Sequence, residues 1–511
     1  MLTCCTARDQ DVKTVLDNAA KTVGATNLKT IEFSGSGSQF GHGQPLVPFA
    51  ELPRFNAKSF NYVADYVTPG SRQEMVRTQA LNPPRGGTPQ PIVGEARAIA
   101  YLSGEYTWTP AAEPTGTPRR QPVGDGLDDG IVEERQIQLW ETPHGFLNAA
   151  LRSNAATMQE QTIGGKRFRV VSFPRGKTKL DGYINDENLV EKVETWMPHP
   201  VLGDMSVESS YANYRDWGGV QFPTQMTQKW GGEVVLDLTI SDVKPNVTID
   251  LTVPEAVRNT PLPPPAKIVT RKVGDSLYII GGQNAATIVV EFKDFLVAVE
   301  GPTNEERSLA VLAEIKRLYP SKPVRYLVNT HAQYNDHAGG VRTWAAEGIP
   351  IITHRDNKKW FDEVALRGTW TIKPDKLSQV SITPVVEPVD DSRMITDGSR
   401  QLVLYHVRGN NHGGAMLMAY LPAEKIIIEA DVYTANASGG PLFGPAEPPP
   451  NAPPDFPRCC DARNFYDNIQ RLNLDVKTLV PIHSVTRGDK GPVPWDTFLR
   501  YVGKKRKGEG L

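Results

Sequence analysis

Six of the chain's nine histidines lie after residue 330, and four of those six follow short apolar runs that read as strands. The first such segment is VRYLVNTHAQYNDHAGG. A strand ends at Thr330, the loop carries His331, Asp336 and His337, and Ala338-Gly339-Gly340 lets the chain turn into a helix. Two imidazoles and a carboxylate on one short loop suit a borderline cation such as zinc. The alternative for such a loop is a solvated polar turn. The second segment, HVRGNNHGGAMLMAYLPAEKIIIEADVYTA, sets His412 in a Gly- and Asn-rich turn and closes an apolar strand with Asp431. An acid at that place is awkward unless a cation faces it, or unless it caps a local turn. In the third segment, LVPIHSVTRG, His483 ends a buried-looking strand. Alone, such a histidine more often serves the core or a cap. His406 reads as a structural or supporting residue, His354 as a helix N-cap, and His42, His144 and His199 as surface or loop residues.

The elements that must position these groups fall into two textures. A chain of 511 residues exceeds one compact core, so two domains are expected. The run Thr260-Pro261-Leu262-Pro263-Pro264-Pro265 is stiff and extended, and marks the boundary. Residues 1–258 read as a mainly antiparallel β domain. Its N-terminal helix spans Asp11 to Val23, with Gly24 as the stop. A second helix is predicted over Glu134 to Ala150, after a Gly- and Pro-rich excursion at residues 83–130. Residues 259–266 form the linker. Residues 267–511 mix short apolar strands with helices, which indicates an α/β sandwich.

Composition excludes several classes. The 56 basic and 58 acidic residues leave no basic excess, so nucleic acid is not an expected partner. The basic cluster Lys504, Lys505, Arg506, Lys507 reads as a solvated tail. No apolar run approaches the ~18 residues of a membrane span, and no signal peptide is visible. The four cysteines form the adjacent pairs Cys4–Cys5 and Cys459–Cys460, which lack zinc-ribbon spacing and are expected to be inert thiols. Neither a G-x-S-x-G elbow nor a P-loop occurs, and the GSGS at 35–38 misses dinucleotide spacing.

Taken together, the three segments resemble the metallo-β-lactamase superfamily from about Lys267 onward. Its T-H-x-H-x-D-H-x-G-G loop, later His, Asp after a strand and final His appear in order as Thr330, His331, Asp336, His337, Gly339, Gly340, His412, Asp431 and His483. The resemblance implies an αββα sandwich, hence an α+β fold preceded by the β domain, and two metal pockets. One pocket uses His331, a middle loop histidine and His412. The other uses Asp336, His337 and His483, and Asp431 bridges the two. This chain departs from the family pattern in one place. Four residues, Ala332, Gln333, Tyr334 and Asn335, separate His331 from Asp336 where the family has three, and the middle histidine is missing. Gln333 or Tyr334 is the possible substitute, and both are poorer zinc ligands than imidazole. One firm zinc, a second partial one, or another divalent ion is therefore expected.

The resemblance further implies a metal-dependent hydrolase acting on an ester, lactone, lactam or related bond of a small-molecule substrate. A divalent ion lowers the pKa of its water toward ~7, and the resulting hydroxide attacks the bond. Asp336 is the catalytic residue that orients this nucleophile. A homo-oligomer is compatible with the sequence. The aromatic-rich stretch YANYRDWGGVQFPTQMTQKW is similar to the half-barrels of bacterial lipoprotein carriers, which implies an envelope (periplasmic or secreted) location. The alternative expectation is a non-catalytic envelope binding protein for a hydrophobic ligand, with a degenerate metal site.

Overall fold

Helix α1 (Val12–Thr22) begins where Asp11 accepts hydrogen bonds from the amides of Lys13 (2.6 Å) and Thr14 (3.1 Å). Val15, Leu16, Ala19 and Ala20 turn one face of it into the core. It stops at Gly24, which has φ +73° and lies so close to a neighbouring loop that a Cβ would meet the Gly219 carbonyl at 2.3 Å. Only glycine satisfies both conditions. The computed structural model describes residues 11–81, 84–87, 92, 94–111, 117–121, 130–261, 268–282, 285–433, 460–483 and 491–504, without the side chains of Arg119, Gln121, Asn335, Asp336 and Cys460. Cys4, Cys5, Cys459, most of the Pro-rich linker and the stretch Ser438–Pro457 lie outside the described residues.

Thirteen antiparallel strands form the large sheet of the N-terminal half. From its central strand Thr30–Phe40 the chain winds outward to the edge strand Arg119–Gln121. It then crosses over two helices and winds back from the far edge strand Thr157–Ile163. The last strand, Glu233–Pro245, pairs with the first. The stretch at 83–130 is therefore not only an excursion, because it contributes the strands Ala96–Ser103, Tyr106–Thr109 and Arg119–Gln121. The single helix predicted over Glu134–Ala150 is two helices, α2 (Ile131–Glu141) and α3 (Pro143–Arg152). Pro143 has no amide hydrogen to continue α2, and the Thr142 hydroxyl instead accepts from the Gly145 amide at 3.1 Å, capping α3.

Two smaller sheets make up the C-terminal half. In the seven-stranded sheet, Leu296–Val299, Val324–Val328, Ile351–His354 and Val386–Val389 run parallel. In the six-stranded sheet, Ile426–Glu429 and Thr478–Pro481 run parallel. The inner faces meet through Ile288, Val297, Val299, Leu404, Leu417 and Val480. Helices Glu305–Leu318 and Val341–Ala346 cover the outside of one sheet, and Cys460–Arg471 and Trp495–Tyr501 the outside of the other. Strands covered on both faces need continuous apolar runs, which is why LVAV and IIIE lack the alternation of half-buried strands. The order is helix, sheet, sheet, helix. No helix among the described residues is long and apolar enough to cross a membrane.

Candidate metal centre

Every group singled out in the three histidine segments sits past the end of a strand on one rim of this sandwich. Val324–Val328 leads to His331 and His337, Ile426–Glu429 to Asp431, and Thr478–Pro481 to His483, while His412 lies in the turn before Leu417–Leu421. Parallel strands end side by side, so loops distant in sequence converge there. Asp431 is the meeting point. Its Oδ2 lies 2.6 Å from His337 Nε2, 3.1 Å from His412 Nε2 and 3.2 Å from His331 Nε2, and its Oδ1 lies 2.7 Å from His483 Nε2. Its backbone is left-handed, φ +62°. An aspartate tolerates that conformation better than most residues, and here it turns the carboxylate back over the rim.

A layer beneath fixes the rings. Glu300, fully buried after the strand Leu296–Val299, accepts from His337 Nδ1 (3.0 Å), from the Asn329 amide (3.1 Å) and from the Thr330 hydroxyl. With Nδ1 donating to Glu300, His337 turns Nε2 toward the site, where its lone pair is free to bind once that nitrogen is unprotonated. Thr330 Oγ1 lies 3.0 Å from His331 Nδ1, and Asn410 Oδ1 accepts from the His412 amide at 2.8 Å.

Electrostatics follow from burial against charge. Burial opposes ionisation of Asp431, but His483, His337 and His412 outweigh it and hold its carboxyl well below the usual range. Burial likewise opposes charge on His337, yet Asp431 and Glu300 push its pKa well above the usual value. Burial and the neighbouring His337 push His331 down to about 3. Burial pushes the Glu429 carboxyl well up. His337 Nε2 and His483 Nε2 face each other at 3.3 Å. Two ring nitrogens that close, both beside one carboxylate, are the donor set of a cation site, and a cation fits where His337 otherwise carries its extra proton. Three groups among the described residues could hold a metal ion: His337, Asp431 and His483; His331, His412 and Asp431; and Glu300, His331 and His337. The first two share Asp431.

The backbone of Asp336 lies in the short helix Tyr334–Ala338, between the two loop histidines; its side chain is outside the described residues. Of the two candidate substitutes for the middle histidine, Gln333 is the one that touches the cluster. Its Oε1 is 3.2 Å from His412 Nε2, and its Nε2 donates to the His412 carbonyl at 3.4 Å. Tyr334 does not reach the site. Its ring stacks on Trp360 (5.5 Å) and lies 5.2 and 5.7 Å from the rings of His42 and His199.

Of the three histidines expected as surface or loop residues, His42 does lie in the turn between Thr30–Phe40 and Arg54–Asp65, whereas His144 lies in α3 and His199 ends the strand Val190–His199. His144 and His199 are buried, and His42 nearly so, since the large sheet packs against other layers on that face. The Val201 and Leu202 amides donate to His199 Nδ1, and His144 Nε2 meets the Val23 carbonyl at 3.0 Å. Burial pushes His42 and His144 down to about 4 and His199 to about 3, so all three are neutral. His354 does cap its helix, and its ring lies 4.1 Å from that of His406, whose Nε2 meets the Gly414 carbonyl.

The N-terminal half grips the loops of the histidine cluster directly. Tyr334 and Gly414 donate backbone hydrogen bonds to Gly43 (3.2 Å) and Leu46 (2.6 Å), and Gly86 donates to Asn411 (2.7 Å). A Cβ at Gly87 would meet Gln333 Nε2 at 2.3 Å.

Among solved structures, the chain is similar to the metallo-β-lactamase from Pontibacter korlensis at 17% identity, over 46% of this chain and 97% of that one, with a TM-score of 0.33. It is similar to the Pseudomonas aeruginosa metallo-β-lactamase FIM-1 in its mono-zinc form at 15% identity, over 46% and 93%, with a TM-score of 0.31. For a metallo-β-lactamase from Hirschia baltica the figures are 14%, 46%, 96% and 0.32. No family model and no curated protein matches the chain. Two face-to-face sheets between helix layers, with a histidine and aspartate cluster on one rim, make the C-terminal half an αββα sandwich.

Proposed function

We propose that this chain is a metal-dependent hydrolase. In this reading His337, His483 and Asp431 hold one zinc or related divalent ion beside Asp336, and His331, His412 and Asp431 hold a weaker second one. The observation that carries the reading is the convergence of four imidazole Nε2 atoms on the two oxygens of Asp431. When bound, such an ion supplies Lewis acidity and lowers the pKa of a water toward about 7. The chain's own residues do the rest. Glu300 fixes the His337 tautomer, Asp431 balances the imidazoles, and Asp336, on the loop between the two loop histidines, orients the attacking water. The substrate bond is an ester, lactone, lactam or relative.

The test is metal analysis of protein purified without added metal, followed by an ester, lactone and β-lactam panel. About one equivalent of transition metal is expected, with Asp336→Ala lowering any activity found by about 10²–10⁴-fold. Less than about a tenth of an equivalent, with no recovery on adding zinc, overturns the reading.

Glu300→Gln is expected to weaken metal binding by about 10–100-fold, the usual effect of losing a carboxylate behind a ligating imidazole. The amide presents an N–H to the donors of Asn329 and Thr330 and removes the charge behind His337. Competition with a chromophoric chelator measures it, and an unchanged affinity would show that Glu300 orients nothing.

A further inference from the structure

Between α2 and the middle of the large sheet lies a cavity of about 360 Å³, and no residue of the metal centre lines it. That volume is at the lower end of small-molecule sites, which span roughly 300–1,000 Å³. Alternating residues of each strand face it, as Gln73, Met75 and Arg77 do along Gly70–Gln79. Most of its wall is apolar, with Phe33, Phe60, Met75, Met226, Val235 and Leu236. Ser209 and Gln228 also line it, but both donate to Glu141 Oε2 behind the wall (3.0 and 3.1 Å). Burial pushes that carboxyl up to about 8, so the floor carries no charge at neutral pH.

The two ends differ. Strand register puts Phe33, Phe60 and Tyr62 toward one end and Gln39, Arg77 and Trp230 toward the other. At the second end Arg77 is half-buried, and burial alone pushes its pKa down. It donates to Gln39 Oε1 at 2.9 Å and lies over the Phe55 ring at 5.4 Å. Among the described residues it has no acidic partner. Trp230 Nε1 is buried there without a hydrogen-bond acceptor. The acidic lining residue, Glu134, comes from α2 and accepts from Gln138 at 3.2 Å. A half-buried cation and an orphaned N–H donor at one end of an apolar cavity form an incomplete anion site.

We propose that this cavity binds a small amphipathic carboxylate, its acid group on Arg77 and Trp230 and its apolar body among Phe33, Phe60 and Met226. The site is independent of the metal centre. The cavity meets the histidine loop through His42, which lines it and whose ring lies 5.2 Å from that of Tyr334.

Calorimetric titration of the full chain with decanoate and with decanol tests this, before and after dialysis against a chelator. One decanoate is expected per chain, with decanol at least about tenfold weaker for want of the charged pair. Arg77→Gln is expected to bring decanoate down to the decanol level while leaving decanol binding in place, which also reports that the cavity is still folded. Chelation is expected to change neither. Absence of decanoate binding, or decanol binding as tightly in the unaltered chain, overturns the proposal. So does loss of decanoate binding on chelation, which would put the carboxylate on the metal centre; low metal content in itself bears only on the hydrolase reading.

Discussion

Asp431→Asn is expected to remove nearly all bound metal and with it all hydrolytic activity. Two of the three candidate metal groups share this carboxylate and neither survives its loss intact, while in the third Glu300 already accepts from Asn329, Thr330 and His337. Asparagine is the informative replacement. It keeps the volume and tolerates the left-handed backbone that Asp431 adopts at φ +62°, so the loop is retained. What changes is charge and chemistry. An acceptor-only group within 2.6–3.2 Å of four Nε2 atoms becomes a neutral amide with two N–H donors among them. Bound metal should fall from about one equivalent or more to below about 0.2. Thermal unfolding gives a second readout. Free zinc at about a thousand times its dissociation constant stabilises the unaltered chain by about 4 kcal/mol, and should not shift the variant. Retention of a stoichiometric metal by Asp431→Asn would show that the cluster is held together by hydrogen bonds rather than by an ion.

The residues of this centre were legible because their types conflict with their surroundings. Asp431 stood out as an acid closing the apolar run IIIEA, and His331 and His337 as imidazoles beside Gly339 and Gly340 at a strand end. The same signal marks Glu300, which closes LVAV in the same manner, but no position of the motif points to it. Asn329 and Asn410 carry no such signal. An asparagine before a loop histidine is ordinary, and only the fold shows that its amide orients the site. In the N-terminal half, alternation told which strands are half-buried, but not which pair. The contact of Thr30–Phe40 with Glu233–Pro245 joins segments some two hundred residues apart, and period-2 patterns carry faces rather than partners. His144 and His199 were misplaced, and the burial of His42 was missed, for the same reason. Each lies near a Gly or Pro that marks a turn, and nothing local says that another layer covers that turn.

Gln333→His is expected to convert a weak second metal position into a firm one. Sequence spacing left Gln333 and Tyr334 as equal substitutes for the missing middle histidine, and the structure separates them by direction. Gln333 meets His412 through both ends of its amide, whereas Tyr334 is spent on Trp360, His42 and His199. An amide oxygen is a weak donor to zinc, and an imidazole at the same place completes a three-nitrogen set with His331 and His412. Two tightly held equivalents are expected in place of about one, read by metal analysis after dialysis against a weak chelator. Tyr334→His should leave the count unchanged and destabilise the contact with the large sheet. Room for the new ring comes from Gly87, where a Cβ would meet the Gln333 amide at 2.3 Å. Gly87→Ala on top of Gln333→His should therefore reverse the gain, because the strap from the N-terminal half would press the ring away from His412. An unchanged single equivalent in Gln333→His would mean that the extra loop residue, not the missing histidine, sets the weakness of that position.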